Sequence, residues 1–386
     1  MTVAIFDADV PTGIAFVRSL GRAGVPLRVY SHRRWPVSRF SRYCADFARC
    51  PDLEDPRLLP WLDTELRSGR IDLVAPTSDL IAFACAELEG SEAVLACLFK
   101  DRFDAACARL GFRTPWSAHP RSIEEACDLA AAYRYPAILK PKSHVGVGIA
   151  RGEIVQSPDE LRMAFRPYPL AETRYPELAL PMVQELVPLA LDNLYSVSGV
   201  LGPGGEALAA SCSRKIAQWP RPRGIGIEFH PVDDPALLDL GVSLARGILG
   251  GGLFEVEFIR DPRSGDWLAI DLNPRAHGFI RFDIERGHDL PLLWYRSATG
   301  EAMQPCGPAR QDLYWRHGVP HAVHRFTQPH AKPALRHVDI VHDWSDPLPS
   351  IPFVALMLRH PGGLVRPFLA ANDHSSRMAP AIEPVS

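Results

Sequence analysis

Near the middle of the chain, Glu255, Glu257, Asp271 and Asn273 have the side chains that hard cations select. They lie in LFEVEFIRDPRSGDWLAIDLNPRAH, Leu253 to His277. In the run 254–259, apolar residues alternate with Glu255 and Glu257. In 267–273, Leu268, Ile270 and Leu272 alternate with Ala269, Asp271 and Asn273. Period 2 in both runs predicts two strands. Asp261-Pro262-Arg263-Ser264-Gly265-Asp266 is turn chemistry between them, with Gly265 able to take positive φ. A loop of Arg263, Ser264 and Gly265 sets Glu257 opposite Asp271 and Glu255 opposite Asn273, on one face. Carboxylates facing one another across strands repel. Mg²⁺ relieves that repulsion, because it takes oxygen ligands and bridges one or two carboxylates to nucleotide phosphates. A solvated polar face of a half-buried hairpin gives the same pattern, and the stretch by itself leaves both readings open.

The totals bound the rest. At 386 residues the chain has room for two or three domains. Its 47% hydrophobic and 23% charged residues are those of an ordinary soluble globular protein, and a net charge of −3 argues for no nucleic-acid partner. None of the eight cysteines forms a CxxC pair, so we expect reduced core thiols in a cytoplasmic protein. The chain opens directly on the strand-like VAIF with no signal-peptide pattern, and no apolar run is long enough to cross a membrane, so no membrane partner is expected.

The positioning elements come in order. Val3–Phe6, a turn at Asp7–Gly13, a helix at Ile14–Ala23 and a strand at Leu27–Tyr30 predict a βαβ opening and a parallel sheet. GxGxxG is missing, which speaks against a dinucleotide site. Arg33, Arg34 and Arg39 suit either an anion or a solvated loop. Thr77, Ser78 and Asp79 follow a strand at Asp72–Pro76, where open α/β sheets bind ligands, although capping by Ser78 or Asp79 accounts for them equally simply. Lys100 precedes a helix at Phe103–Leu110, and a domain boundary falls near Gly111–Pro115. Ser122–Glu125 is a capping box. Lys140 lies in a strand at Ala137–Pro141, followed by the glycine loop SHVGVG and a second strand ending at Val155. Such a loop can wrap phosphates with backbone N–H groups, and it can equally be an exposed hairpin. PMVQELV is a strand carrying Gln184 and Glu185. A meander at Leu194–Gly199 and Ala207–Ser213 leads to Arg214 and Lys215, then to a helix at Pro235–Leu249. Periodicity fades after Cys306, with one short amphipathic helix at Ile351–Arg359 and a disordered end expected.

The ordered set is Lys100, Lys140 with its glycine loop, Gln184–Val187, Asp192, Arg214-Lys215, Glu257 and Asp271-x-Asn273-Pro274-Arg275. In this order the chain resembles the ATP-grasp superfamily, most of all its carboxylate–amine ligases, including the branch with carbamoyl-phosphate-synthase-like nucleotide domains. The likeness covers about Val3 to Gly300. It implies an α/β plus α+β architecture: an N-terminal parallel-sheet α/β (pre-ATP-grasp) domain over 1–112, then a two-lobed ATP-grasp fold over 113–305. The small lobe would run to about 186 and the large lobe from 187, with an irregular segment at 306–386. By the same resemblance Lys100, Lys140, Ser143, Gly146 and Gly148 would contact ATP phosphates. Gln184, Glu185, Leu186 and Val187 would form the adenine hinge and Asp192 would hold the ribose. Glu257, Asp271 and Asn273 would bind Mg²⁺ or Mn²⁺, with Arg275 and Arg214 or Lys215 at the transferred phosphoryl group.

The sequence also departs from that pattern. Asp271 stands where the family more often has Glu. Leu189-Ala190-Leu191 follows the hinge in place of a glycine, and the short glycine loop carries His144. The implied activity is an ADP-forming ligase that joins a carboxylate to an amine through an acyl phosphate. Carboxyphosphate chemistry or a non-catalytic ATP-binding scaffold are the alternatives. Small-molecule acid and amine are the expected partners, with a homodimer left open. The substrate loops would be Thr77–Asp79, Trp219–Ile227 and His277–Arg286. Arg221, Arg223 and Arg281 suit an anionic substrate or a plain surface. His144, His230, His277 and His288 read as structural or surface residues, His277 being the one placed to touch substrate.

Overall fold

The computed structural model describes residues 1–147, 152–170, 175–188, 193–219, 225–327 and 335–359. The chain builds three sheets. The first is parallel, in the order β3-β2-β1-β4, with β1 Val3–Ile5, β2 Leu27–Ser31, β3 Phe47–Arg49 and β4 Leu73–Val74. Its strands are apolar on both faces because helices cover both. Helix Pro11–Arg22, with proline in its first turn, packs Phe16 and Leu20 against Ile5 and Val29 on one side. On the other, Phe6 and Tyr30 stack at 5.3 Å and meet Leu62 and Ile81.

A small antiparallel sheet follows, ordered β5-β8-β6-β7, with β5 Ser117–Ala118, β6 Ala137–Lys140, β7 Glu153–Val155 and β8 Met182–Glu185. Half of the capping box is present: Ser122 accepts from the Glu125 N–H and starts helix Ile123–Asp128, while the Glu125 carboxylate accepts from the Arg121 N–H, one residue before the cap.

The large sheet runs β13-β12-β9-β10-β11-β14-β15. Its members are β9 Leu194–Leu201, β10 Ala207–Trp219, β11 Ile225–Val232, β12 Gly252–Arg260, β13 Trp267–Asn273, β14 Leu313–Arg316 and β15 Arg336–Asp339. One face is apolar: Phe254, Val256 and Phe258 meet Leu237 and Leu244 of helix Pro235–Ile248 and Phe103 and Ala106 of helix Lys100–Leu110. Each buried phenylalanine is worth about 2–3 kcal/mol. Gly241 lets that helix close in, since a Cβ there would stand 2.5 Å from the Val197 Cβ. The opposite face carries the polar residues.

The segment after 306 is not irregular as expected. β14 pairs with β11, β15 extends the sheet, and helices Gly318–Thr327 and Ser350–Arg359 pack beside them. Four-residue strands are too short to show a period, and for that reason the sequence hid them. The loop after β15 ties the first sheet's layer to the large sheet. Arg18 Nε donates to Asp346 at 2.9 Å, with both side chains buried, and the Ser41 hydroxyl donates to the same carboxylate at 2.7 Å. Arg22 pairs with Asp343. The expectation of disorder falls on 360–386, outside the described residues.

Candidate active site

The β12–β13 hairpin has the register that the sequence predicts: Glu257 faces Asp271 and Glu255 faces Asn273. The turn closes with Gly265 at φ +76, but the Asp261 N–H donates to Asp266 O at 2.9 Å, so the loop is Pro262–Gly265 and not the three residues expected, and Pro262 does not pair with Asp266. The pairing is irregular between Glu257 and Phe258, where Asp271 and Ala269 are the successive partners and Ile270 is the extra residue. A bulge of this kind re-aims side chains next to it. On the other side of β12, Ser198 and Ser196 of β9 face Glu255 and Glu257.

Four elements converge here. Lys100, at the start of its helix, places Nζ 2.8 Å from Asp271 Oδ2. Burial works most strongly against its charge, but Asp271, Glu257 and Asp79 together outweigh burial and hold the ammonium above its ordinary value. Arg275, in the turn after β13, donates to Asn273 Oδ1 at 3.0 Å and to Asp79 Oδ1 at 2.8 Å. Burial of Arg275 is likewise overcome by Asp79, and its pKa is raised; Asp79 is held below its usual range, mainly by Arg275 and secondarily by His144 and Lys100, despite burial. Glu255 is enclosed, accepting from the Ser196 hydroxyl at 2.9 Å and from the Asn273 amide at 3.3 Å. Burial, then the neighbouring Glu257, pushes its pKa up.

From the small sheet, Lys140 Nζ donates to Gln184 Oε1 at 2.8 Å across the β6–β8 pair. Burial, followed by the Lys100 charge, lowers Lys140 to about 8. Ser143 is buried and its hydroxyl accepts from the Val145 N–H at 3.1 Å; Gly146 has φ +73. Val187 packs with Ile259 and Leu268, so the hinge meets the hairpin through an apolar cluster. Leu186 is anchored by its N–H to Pro136 O at 2.8 Å. Glu185 is engaged elsewhere than at an open cleft: it accepts from the Trp116 N–H at 3.1 Å and from Arg263 at 3.3 Å, with Arg134 at 3.7 Å. Gly148 and Asp192 lie outside the described residues, as do Arg221 and Arg223.

Strand alternation separates the basic pair. Ser213 of β10 faces Ser196, on the carboxylate side, and Lys215 shares its face. Arg214 faces Tyr195 and stacks its guanidinium 5.6 Å from that ring, on the opposite side of the sheet. The structure thus brings Lys100, Lys215, Asn273, Arg275, Glu257 and Asp271 to one side and leaves Arg214 off it.

Sequence reasoning missed three features. Ser78 does cap its helix, accepting from the Ile81 N–H, but Asp79 beside it is the Arg275 partner. Asp283 is a buried hub. It binds His277 at 2.7 Å, Ser211 at 2.7 Å and Ser198 at 3.0 Å, and so fixes the segment after the Arg275 turn onto β9 and β10. Arg281 is spent on the C-terminal loop, donating to Asp339 O at 3.1 Å. The place of Asp79 just beyond a strand's carboxyl end was the signal of this that the sequence offered.

The donor chemistry suits Mg²⁺ shared with phosphate. Two carboxylates face one another at one register position, an amide oxygen follows two residues on, and the Lys100 ammonium already sits as a cation on Asp271. Among the described residues no group of three or more His, Cys, Asp or Glu side chains is placed to hold a metal ion by itself.

No protein-family model matches the chain. The C-terminal section of the carbamoyl phosphate synthase large chain of Methanopyrus kandleri is 26% identical over 199 residues, 50% of this chain and 35% of that protein. Formate-dependent phosphoribosylglycinamide formyltransferase of Synechococcus elongatus is 30% identical over 186 residues, 46% of this chain and 44% of that protein. The chain thus spans less than half the length of either relative. The biotin carboxylase domain of the Hydrogenobacter thermophilus 2-oxoglutarate carboxylase, solved with MgADP and bicarbonate, superposes with a TM-score of 0.60 at 17% identity, covering 81% of this chain and 73% of that one. The fold is the ATP-grasp fold of that solved structure.

Proposed function

We propose that the protein is an ATP- and Mg²⁺-dependent ligase that joins a carboxylate to an amine and releases ADP and phosphate. The observation that carries this reading is the in-register Glu257–Asp271 pair under Lys100, with Arg275 two residues beyond Asn273. A carboxylate is a poor electrophile. Transfer of the γ-phosphoryl group to it gives an acyl phosphate and ADP; the amine attacks the carbonyl carbon, the amide forms and phosphate leaves. Phosphoryl transfer asks for positioning and charge neutralisation more than covalent help.

Glu257, Asp271 and Asn273 would hold Mg²⁺, which when bound neutralises charge on the transferring group. Lys100 would exchange Asp271 for phosphate oxygens, and Lys140 would exchange Gln184 for them. Arg275, fixed by Asp79, would face the acyl phosphate, and Lys215 would add charge from β10. Ser143, Gly146 and Gly148 would close over the phosphates and keep water off the acyl phosphate. Val187 and Leu186 would bed the adenine. Asp192 is proposed for the ribose. The occupied carboxylate of Glu185 gives that residue a hinge-bracing role. The chain would divide at about 112, 186 and 305.

Mn²⁺ in place of Mg²⁺, a homodimer and a cytoplasmic setting belong to the same reading. No helix among the described residues is long and apolar enough to cross a membrane, and the eight cysteines are unbridged. The test is an ADP-release screen against pooled amino acids and small acids, with mass spectrometry of the product. ADP formed with bicarbonate and no amine would replace the acyl-phosphate reading with carboxyphosphate chemistry. Release of AMP and pyrophosphate would exclude both.

A further inference from the structure

The chain carries a net charge of −3, yet residues 32–45, HRRWPVSRFSRYCA, hold four arginines and no acid, and residues 347–358 hold no acid at all. The fold puts these two stretches side by side. The Arg42 N–H donates to Asp346 at 2.9 Å and its side chain to Ser345 O at 3.3 Å. Helix Ser350–Arg359 buries Phe353 in one cluster with Val37 and Ile14. Its outer side is apolar too: Ile351 is 68% and Val354 39% exposed. Next to it Trp344 is 87% and Leu348 55% exposed, and across the seam Trp35 is 59% exposed with the Arg39 guanidinium 4.3 Å from its ring. A helix apolar on both sides is normally covered on both.

We propose that this face docks on a membrane surface rich in anionic lipid, with Trp344, Ile351, Leu348 and Trp35 entering the headgroup boundary and Arg34, Arg39 and Arg42 meeting lipid phosphates. The proposal stands apart from the ligase reading and departs from the sequence-based expectation of no membrane partner.

Charge selects the occupant. The acids that border the face are each paired: Asp346 is 1% exposed and bound to Arg18 and Ser41, Asp343 pairs with Arg22, Asp9 lies 3.5 Å from Arg33, and the more exposed Asp46 and Asp52 pair with Arg28 and His32. The exposed arginines and tryptophans lie between them. A second copy of the chain on a two-fold axis would set the same arginines against one another. An anionic bilayer meets both halves of the surface at once, apolar side chains with the acyl boundary and guanidinium groups with phosphate. Exposed tryptophans suit that boundary because the ring is apolar with one polar edge. With no spanning helix among the described residues, the contact lies on the bilayer and not through it.

The experiment is flotation of the full chain with vesicles of phosphatidylcholine alone or of equimolar phosphatidylcholine and phosphatidylglycerol. We expect binding to the anionic vesicles, little to the neutral ones, and loss with rising salt. Trp344→Ala with Ile351→Ser should lower partitioning about tenfold or more, and Arg34→Gln with Arg42→Gln by about 25-fold, at roughly fivefold per arginine. Both pairs are on exposed positions, so circular dichroism and melting temperature should stay as in the parent. Met163→Ser, at a site 77% exposed and elsewhere on the surface, should leave binding unchanged. Absence of binding to the anionic vesicles overturns the proposal. So does binding indifferent to Trp344 and Ile351, or a concentration-dependent dimer that those substitutions abolish.

Discussion

Lys100 and Asp271 are 171 positions apart in the chain and 2.8 Å apart in space. One begins the helix that leads out of the first layer, and the other sits beside the bulge of the large sheet's edge hairpin. Their ion pair occupies the place where, on the proposed function, metal and phosphate meet. Loading MgATP would therefore replace an existing pair and not fill a bare carboxylate.

From that follows the behaviour of the hairpin acids. Glu257→Gln or Asp271→Asn should cut ADP formation by about 100-fold or more, because positioned charge carries most of such a transfer. Excess Mg²⁺ should partly restore the glutamine variant. Near-parent turnover in Glu257→Gln, measured by coupled ADP release, would rule out its place at the metal.

Nucleotide affinity should depend on pH through Lys140. Burial depresses this lysine to about 8, so it is charged below that pH and neutral above it. Phosphate oxygens prefer the charged form. Binding of a fluorescent ATP analogue should weaken as pH rises through about 8, and Lys140→Arg, charged throughout, should flatten the profile. An unchanged pH profile in Lys140→Arg would point to another group.

The two members of the basic pair should separate in assay. Lys215→Ala should lower ADP formation at least about tenfold while melting stays near parent. Arg214→Ala should do the reverse, costing stability through the lost Tyr195 stack, worth about 0.5–1 kcal/mol, with turnover kept. Equal activity losses in both would contradict the strand alternation argued here.

Arg18 and Asp346 are both buried, so removing one partner strands a charge. Asp346→Ala should cost about 3–5 kcal/mol, seen as a fall of many degrees in melting temperature. Arg18→Leu combined with Asp346→Leu should be milder than either single change, because no charge is left unpaired.

How far the sequence could be read depends on the range of the interaction. Period 2 and turn chemistry were enough to place the hairpin, since strand pairing across a short turn is local, but the loop is one residue longer than expected and the bulge at Ile270 is what sets Glu257 opposite Asp271. Ser78 and Ser122 were legible as caps for the same reason. Asp79 was not legible as the Arg275 partner, because 196 residues lie between them and no local pattern records a contact of that range. Lys215 and Arg214 read as equivalent cations until the register of β10 against β9 assigned them opposite faces. Asp283 looked like an ordinary helix acid, and its burial among Ser198, Ser211 and His277 comes from three separate strands and turns. The loop after β15 carries no readable pattern because its order derives from partners such as Arg18 and Arg22, not from its own sequence.

That loop also sets an order of events during synthesis. Arg18 and Arg22 leave the ribosome more than 300 residues before Asp343 and Asp346, and the first sheet can fold well before its clasp exists. Until the loop arrives, the Arg18 guanidinium has no carboxylate, although Phe16 and Leu20 already have Val200 and Leu253 of the large sheet to pack against. The nascent protein would thus carry its lysines, hairpin acids and Arg275 before it holds them in one rigid frame. Competence would come late and all at once, with a loop that follows every residue of the site in the chain.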